Sequence, residues 1–387
     1  MATTAQRSPA MTATVDIPRA AAEGMVCASW SDMTGDTAEW DALARRAAEP
    51  NPFFESWYLL PSFEWLPSRS QRSILAFRRQ GELCGLMPIV RHRHYEGWPI
   101  ANLANWLHPN MFLGTPLVAP GAEAPFWRAL LAWADANPGI SLFLHLNALA
   151  LDGPVHAALK SVLTAQKRPW GVVESKERAL LSSDLDAGDY LANALPARKR
   201  KDLDRRYRRL SELGAVETRW ETGTDGLDGW IEQFLALEAS GWKGDAGSAL
   251  ACHAATANLF RAGLSGAGRL GRLVRLSLCL NGKPIAMLST FVTAPGAFGF
   301  KTAFDEDYSP YSPGFLLERA FLAGRKDFGI GWCDSCAAAD HDVMNRIWSE
   351  RRRIGRVSIA IGGPLRRAAF SQLLRKEAAG LNTEVHA

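Results

Sequence analysis

The chain has 387 residues, of which 47% are hydrophobic and 22% charged, and its formal net charge at pH 7 is +4. This composition excludes wholesale disorder and a fibrous protein, and the length suffices for two domains that each bury a core. No run of about 18 apolar residues is present, so we expect no membrane-spanning helix. The 14 tryptophans are an unusual number, because Trp often lines grooves for apolar or ring-shaped ligands.

Six cysteines are scattered along the chain, and only Cys333 and Cys336 form a CxxC pair. No second CxxC and no nearby pair of histidines completes a zinc set, so we expect no metal site. We interpret the cysteines as free thiols in a reducing compartment and expect a cytoplasmic protein.

The first half of the chain predicts a disordered lead-in, a helix, a β-hairpin, a second helix and a strand. These elements fall at residues 1–24, 37–48, 73–90, 124–136 and 139–146. The lead-in is rich in small residues and lacks the apolar core of a signal peptide. The other elements follow from apolar residues that alternate in strands and recur every three or four positions in helices.

The second half repeats much of this order. It predicts helices and strands at residues 195–214, 230–240, 273–292 (a hairpin), 297–304, 315–324 and 330–335. The two hairpins align at an offset of 201 residues, which places Gly81 on Gly282 in the turns. This repeat indicates duplication of a mixed α/β unit of about 150–170 residues. We therefore expect a disordered segment over 1–24, a first domain over 25–178, a second domain over 179–370 and a tail over 371–387.

The segment Ser312-Pro313-Gly314 is typical of a helix start that holds an anion. Ser is favoured as an N-cap, Pro suits the first helical position, and Gly lets a ligand approach the backbone. The free amides and the positive end of the helix dipole then face the ligand. The alternative interpretation is an ordinary capped helix.

A strongly basic segment lies at residues 198–209, with eight Arg or Lys against two Asp. Its local excess of six positive charges is larger than the net charge of the whole chain. Such a segment suits the phosphates of CoA, anionic lipid or nucleic acid. The alternative is a solvated helix face without a ligand.

The second half resembles the GNAT acyltransferase superfamily, in the CelD-like or BioF-like acetyltransferase branch. The resemblance rests on LPARKRKDLDRRYRRLSELG (195–214), LEASGWKG (237–244), the hairpin, KTAFDEDYSPYSPGFLL (301–317) and a closing strand with Asp334. It covers about residues 180–360, with a weaker match over 30–175, and extends to Fem-type aminoacyl-transferases and bacterial ceramide synthases. It implies an α/β (mixed α+β) fold of tandem GNAT-like domains, each a mostly antiparallel sheet flanked by helices.

The resemblance also implies an acyl-CoA-dependent N-acyltransferase. By this analogy the backbone at Ser312, Pro313, Gly314, Phe315 and Leu316 holds the CoA pyrophosphate. The chain has YSPG where most GNAT enzymes have an Arg/Gln-x-x-Gly-x-Gly/Ala loop, so acyl-CoA, an acyl carrier protein and aminoacyl-tRNA stay open as donors. The first domain is expected to be a degenerate partner that walls the acceptor site.

Acyl transfer to an amine requires a base, a stabilised oxyanion and a proton for the departing thiolate. The candidate bases are Asp305, Asp334 and Glu238; the candidate acids are Tyr308 and Tyr311; Lys301 is placed to polarise the thioester carbonyl. The alternative role of the acidic loop is to form a turn, and the alternative role of Lys301 is to form an ion pair with a neighbouring acidic residue. We weigh His341 as a proton relay and do not select it.

The acceptor is expected to be a lipid amine, such as a long-chain base, or a sugar amine. The protein surface that binds the acceptor and anionic groups is assigned to Trp242, Lys243, Arg198, Lys199, Arg205 and Arg206. We expect contact with the anionic inner face of the membrane and no nucleic-acid partner. The alternatives are a Fem-type transferase that uses aminoacyl-tRNA and a non-catalytic GNAT-fold scaffold in envelope polysaccharide biosynthesis.

Overall fold

The computed structural model describes residues 23–35, 37–68, 70–378 and 385–386. Within these ranges the chain forms one mixed sheet with helices on both faces, which confirms the predicted α/β fold. The predicted disordered segment lies outside the described residues, except that Glu23 and Gly24 belong to the first strand. No helix in the described ranges is both long and apolar enough to cross a membrane.

Fourteen strands contribute to the sheet in the described ranges. Those of the first half are β1 (Glu23–Ser29), β2 (Arg72–Arg79), β3 (Glu82–His92), β4 (Asn102–Asn105), β5 (Leu117–Val118), β6 (Phe143–Ala150) and β7 (Trp170–Ser182). Those of the second half are β8 (Val216–Thr222), β9 (Leu273–Leu280), β10 (Lys283–Thr293), β11 (Gly296–Phe304), β12 (Trp332–Asp334), β13 (Glu350–Ala360) and β14 (Val385–His386).

Some of the helices were predicted and others were not; the predicted ones fall at residues 37–48, 124–136, 195–214, 230–240 and 315–324. The first six are α1 (Ala38–Arg46), α2 (Ser56–Trp65), α3 (Glu123–Ala136), α4 (Pro154–Ala165), α5 (Ala187–Ala194) and α6 (Ala197–Ser211). The later ones are α7 (Leu227–Ala239), α8 (Trp242–Asp245), α9 (Ala254–Arg269), α10 (Pro313–Gly324), α11 (Asp342–Ile347) and α12 (Pro364–Ala378).

The two hairpins share their irregularities as well as their turns. In both turns two successive residues have a positive φ: Gln80 and Gly81 in the first, Asn281 and Gly282 in the second. Such a pair is required by a type I′ turn, which matches the twist of the strands. Each hairpin also carries one unpaired bulge residue in the strand that follows the turn. These residues, Cys84 and Ile285, are again 201 positions apart.

The sheet joins the two halves by an exchange of strands. Strand β13, from the second half, lies between β6 and β7, and β7, from the first half, pairs with β12 of the second. The predicted domain boundary at 178–179 therefore falls inside β7. Residue 371, where the predicted tail begins, falls inside α12. The two halves are thus held together by backbone hydrogen bonds as well as by packing.

A gap in the sheet positions the candidate site. Strands β11 and β12 pair in parallel only over Gly296–Phe298 and Trp332–Asp334, and β11 then continues to Phe304 paired with β10 but no longer with β12. A bulge at Phe300 interrupts the pairing of β11 with β10 at the same level. Helix α10 begins after β11 and packs against β9, β10 and β11, so its first turn lies near this gap.

Two hydrophobic clusters lie on either side of the second-half sheet. The first is shared by both halves, and in it Phe53 packs edge to face on Phe291, with ring centroids 6.2 Å apart. The second lies under α10 and contains Leu317, Phe321 and Trp348. The gap beside β11 is bordered by members of both clusters.

Candidate active site

A cavity of about 310 Å³ opens at the gap between β11 and the chain that follows β12. One part of its wall comes from Trp242 and Lys243 of α8 and Lys301 of β11. Another part comes from α10 and the segment after β12, with Glu318 and Trp348 among its members. Because its wall includes residues from both hydrophobic clusters, the cavity reaches both faces of the sheet.

The start of α10 lies at the edge of this cavity. Pro313 is the first helical residue, as predicted, and Gly314 contributes to the cavity wall. A Cβ atom at Gly314 would meet only Phe304, at 4.0 Å, so the space beside this backbone is open. The first amides of a helix have no partner within the helix, and in the described chain those of Gly314 and Phe315 have no other backbone partner.

Ser312 does not act as the predicted N-cap. It has a left-handed backbone, with φ at 56°, and its side chain caps no helix amide. Its Oγ instead accepts a hydrogen bond from Nη1 of Arg206 at 2.7 Å. The N–H of Leu316 donates to the carbonyl of Ser312 at 3.1 Å, so this predicted ligand amide is occupied inside the helix. Two of the predicted amides are thus left for an anion.

Arg206 brings positive charge to the same place. Its Nη1 also donates to the carbonyl of Pro310 at 3.0 Å, while its Nε donates to Asp202 at 2.8 Å. These contacts fix helix α6 against the loop that leads into α10. The sequence predicts a basic surface on α6 that binds anionic groups, and Arg198, Lys199 and Arg205 are exposed there, with Arg205 ion-paired to Asp202. The predicted basic helix therefore adjoins the predicted anion site.

Lys301 lies inside the cavity and contacts the first half of the chain. Its Nζ donates to Oδ1 of Asn110 at 2.8 Å and lies 5.3 Å from the ring centroid of Phe112. Burial lowers the pKa of Lys301 to about 8, with Glu238 opposing and Lys243 adding to this effect. The side chain is therefore mostly protonated at pH 7 and retains donors for a second oxygen.

Glu238 lies beside the cavity and has both carboxylate oxygens occupied. Oε1 accepts from Nζ of Lys243 at 2.9 Å, and Oε2 accepts from the N–H of Leu250 at 2.8 Å. Glu238 is buried, and it holds Lys243, which does contribute to the cavity wall. Trp242 at the end of this wall is 59% exposed. The residues of the predicted LEASGWKG segment thus meet at one place, with Glu238 as the residue that positions Lys243.

Asp334 is a buried ion-pair centre and lies outside the cavity wall. Its Oδ2 accepts from Arg178 at 2.6 Å and from Arg352 at 2.9 Å, and its Oδ1 accepts from the N–H of Cys336. Burial raises the pKa of Asp334, but the two guanidinium groups outweigh it and hold the pKa below its ordinary value. A carboxylate held in this way is a poor proton acceptor, and it instead ties β7, β12 and β13 together.

The acidic and phenolic residues before α10 form a turn instead of lining the cavity. Asp305 accepts from the N–H of Asp307 at 3.1 Å and pairs with Lys283 at 3.4 Å. Tyr308 and Tyr311 are half-buried against the core, with ring centroids 6.4 Å apart. The alternative role that the sequence gave this loop, turn formation, is the one its contacts support.

Two residues of the cavity wall were missed by the sequence analysis. Glu318 is 5% exposed and Trp348 is 2% exposed, and both border the cavity. Burial raises the pKa of Glu318 to about 8. A signal for Glu318 was present, because it lies four positions after Gly314 on the same helix face as Phe321. His341, which was weighed and not selected, also borders the cavity.

The described residues contain no group of three or more His, Cys, Asp and Glu side chains placed to hold a metal ion. All six cysteines are free thiols, and those of the CxxC pair, Cys333 and Cys336, are buried. Burial raises the pKa of the Cys333 thiol well above its ordinary value, which leaves it a poor nucleophile.

Comparison with known proteins gives one family match. Residues 197–343 match the family model described as an acetyltransferase (GNAT) domain. No curated protein sequence matches the chain. Among solved structures, FemX is similar with a TM-score of 0.54 at 10% identity, covering 88% of this chain and 98% of FemX.

Two further structures share the fold. One is a conserved protein of unknown function from Bacteroides thetaiotaomicron, with a TM-score of 0.52 at 14% identity, covering 84% of this chain and 97% of that one. The other is the C-terminal domain of a putative lysylphosphatidylglycerol synthetase from Agrobacterium fabrum. Its TM-score is 0.51 at 10% identity, and the match covers 90% of this chain and 96% of that one.

Proposed function

We propose, from the premise that residues 197–343 form a GNAT acetyltransferase domain, that this chain is an acyl-CoA-dependent N-acyltransferase. It moves an acyl group from a thioester to an amine. The observation that carries the proposal is the cavity that has Gly314 of the α10 start and Lys301 in one wall. The proposed phosphate site and the half-buried Lys301 ammonium group therefore border the same cavity.

In this proposal the pyrophosphate of CoA meets the amides of Gly314 and Phe315, with Arg206 beside them. Amides at a helix start and a guanidinium group are both strong ligands for phosphate oxygens. The exposed basic residues of α6 add attraction for the remaining phosphate. The pantetheine arm then follows the cavity along the gap beside β11, which directs the thioester towards Lys301.

Lys301 is proposed as the group that stabilises the oxyanion. The neutral amine attacks the thioester carbon, and the electron pair of the carbonyl bond moves to oxygen, where the Lys301 ammonium donates a hydrogen bond. Collapse of this intermediate reforms the carbonyl and expels the thiolate of CoA. The nitrogen loses a proton, and the thiolate gains one. Lys301 keeps its bond to Asn110 meanwhile, because an ammonium has three donors.

The acceptor amine is placed on the α8 side of the cavity. The exposed ring of Trp242 supplies an apolar surface there, and Lys243 supplies positive charge. These groups suit a lipid or sugar amine that carries an apolar or anionic portion. Helix α6 is the proposed contact for the inner face of the membrane, since its outward residues are basic.

One observation favours a second candidate, a Fem-type transferase that uses aminoacyl-tRNA. Basic residues of α6 line a surface depression of about 620 Å³, together with Asp202; they are Arg198, Lys199, Lys201 and Arg205. A transferase of this kind would place RNA phosphates against α6. Its binding would then weaken steeply as salt concentration rises.

The test is calorimetric titration with CoA, acetyl-CoA and palmitoyl-CoA, repeated on Gly314→Trp. A matched control is Gly363→Trp, because Gly363 precedes another helix, α12, and has open space around it. Binding that is lost in Gly314→Trp and kept in Gly363→Trp supports the phosphate site. If the wild type binds none of the three ligands, the acyl-CoA proposal is wrong and aminoacyl-tRNA becomes the donor to test.

A further inference from the structure

We propose that Glu318 and Trp348 together bind a neutral oxygen atom of the acyl donor, a hydroxyl or an amide carbonyl, inside the cavity. The inference rests on the proposed function and deepens it, because it names a chemical group that the donor carries. Neither residue contributes to the anion site or to the oxyanion contact described above.

Both residues present a buried polar atom without a partner. In the described chain, Oε2 of Glu318 and Nε1 of Trp348 are enclosed and make no hydrogen bond. Buried polar atoms in folded proteins are nearly always bonded, and an unbonded one is costly. Both residues that carry such an atom border one cavity, which points to a ligand that completes both bonds.

The fold brings the two side chains to the same part of the wall. Glu318 and Phe321 lie three residues apart on α10, so they are neighbours on one face of the helix. Trp348 follows α11, and its ring packs against that of Phe321 with the centroids 6.1 Å apart. The same wall includes apolar side chains, among them Leu288 and Met344.

The chemistry of the two groups defines the ligand atom. The indole N–H of Trp348 can only donate, so the ligand atom must accept a hydrogen bond. Glu318 is mostly protonated at pH 7, since burial raises its pKa to about 8, and its carboxyl group then also donates. A carbonyl oxygen has two lone pairs and can accept both hydrogen bonds. A hydroxyl oxygen can do the same. An ammonium group cannot accept a hydrogen bond, and neither the protonated carboxyl group nor the indole N–H carries a positive charge that would offset a buried anion.

Such an oxygen has two sources in an acyl-CoA donor. The pantetheine arm carries two amide carbonyls and one hydroxyl group, whichever acyl group is attached. The acyl chain itself carries one only if it is hydroxylated or oxidised. The cavity volume of about 310 Å³ lies at the lower end for small-molecule sites, so a compact donor portion is expected in either case.

The experiment measures the affinity of four probes by calorimetry. They are adenosine 3′,5′-bisphosphate, which lacks pantetheine, CoA, butyryl-CoA and 3-hydroxybutyryl-CoA. The variants are Glu318→Leu and Trp348→Phe, each of which deletes one hydrogen-bonding group, and Glu318→Gln, which keeps a donor. The control is Glu49→Leu, because Glu49 is also buried with an unbonded oxygen but borders a different cavity.

We expect Glu318→Leu and Trp348→Phe each to weaken binding about tenfold, the effect of one lost hydrogen bond, while Glu318→Gln and Glu49→Leu keep wild-type affinity. Loss for CoA and both thioesters, without loss for the bisphosphate, assigns the oxygen to pantetheine. Loss for 3-hydroxybutyryl-CoA alone assigns it to the acyl chain. Undiminished binding of every probe by both variants refutes the inference and leaves the proposed function standing. If the wild type binds neither CoA nor thioester, the proposed function fails and this inference with it.

Discussion

Replacing Glu318 by Gln should stabilise the protein at neutral pH and not at acidic pH. Glu318 is buried without a charged partner in the described chain, and burial raises its pKa from an ordinary 4.5 to about 8. Because the pKa of Glu318 is raised in the folded state, its contribution to the free energy of unfolding is fully present below pH 4.5. It is lost progressively as the pH rises towards 8. Gln has nearly the same shape and does not titrate, so it removes only the pH-dependent cost.

The size of the effect follows from the shift. Each pKa unit corresponds to ~1.36 kcal/mol, and the folded protein keeps Glu318 protonated throughout the interval from pH 5 to pH 7. Over these two pH units the wild type should therefore lose about 3 kcal/mol of unfolding free energy that the variant does not lose. Any change in packing caused by the substitution contributes equally at both pH values and cancels in this comparison.

The assay is urea denaturation of wild type, Glu318→Gln and Glu318→Leu at pH 5 and pH 7. Both variants should gain the same pH-dependent increment, because both remove the titrating group. Equal differences from wild type at the two pH values would show that Glu318 is ionised in the folded state. The neutral carboxyl group that we assign to the cavity would then be wrong.

Three further predictions concern the ion cluster, the cavity lysine and the basic helix. Asp334→Asn should lower the free energy of unfolding by about 3–5 kcal/mol, because Arg178 would be left buried and unpaired; a loss below about 1 kcal/mol in urea would contradict this role. Lys301→Met should reduce kcat/KM about 100-fold. In the wild type, activity should decline near pH 8 as Lys301 loses its proton. Lys301→Met should abolish this decline, and Lys301→Arg should move it to higher pH. An unchanged pH profile would exclude Lys301 from catalysis. Replacing four basic residues within 198–209 by Gln should weaken co-sedimentation with anionic vesicles by about 1 kcal/mol per charge, and unchanged co-sedimentation would reject the membrane contact.

The parts of the fold that local sequence determines were predictable. The hairpins follow from alternating apolar residues around turns that need a positive φ, which Gly81 and Gly282 supply. The start of α10 at Pro313 follows from the preference of Pro for the first helical position. In each case the residues that decide the structure lie within a few positions of each other.

The parts that depend on distant residues were not predictable in the same way. Asp334 reads as a polar residue at the end of a strand, and its two arginine partners come from β7 and β13, at sequence separations of 156 and 18. The strand exchange that brings these residues together has no local signal in the sequence, because buried and exposed residues are mixed in β7 and β13 as they are in other strands. A loop such as Asp305–Tyr311 has the composition of both a turn and an active site, and only its contacts distinguish them.

The first half no longer repeats the anion site of the second, yet the proposed chemistry depends on it. Pro120 and Gly121 form a turn that ends before α3 begins at Glu123, whereas Pro313 is itself the first residue of α10. The corresponding first-half helix start therefore presents no glycine amide within its first turn. The first half instead supplies Asn110, which holds Lys301, and β7, which completes the sheet beside β12. A chain cut between the halves would lose the contact between Asn110 and the cavity lysine, so the proposed site depends on residues from both halves.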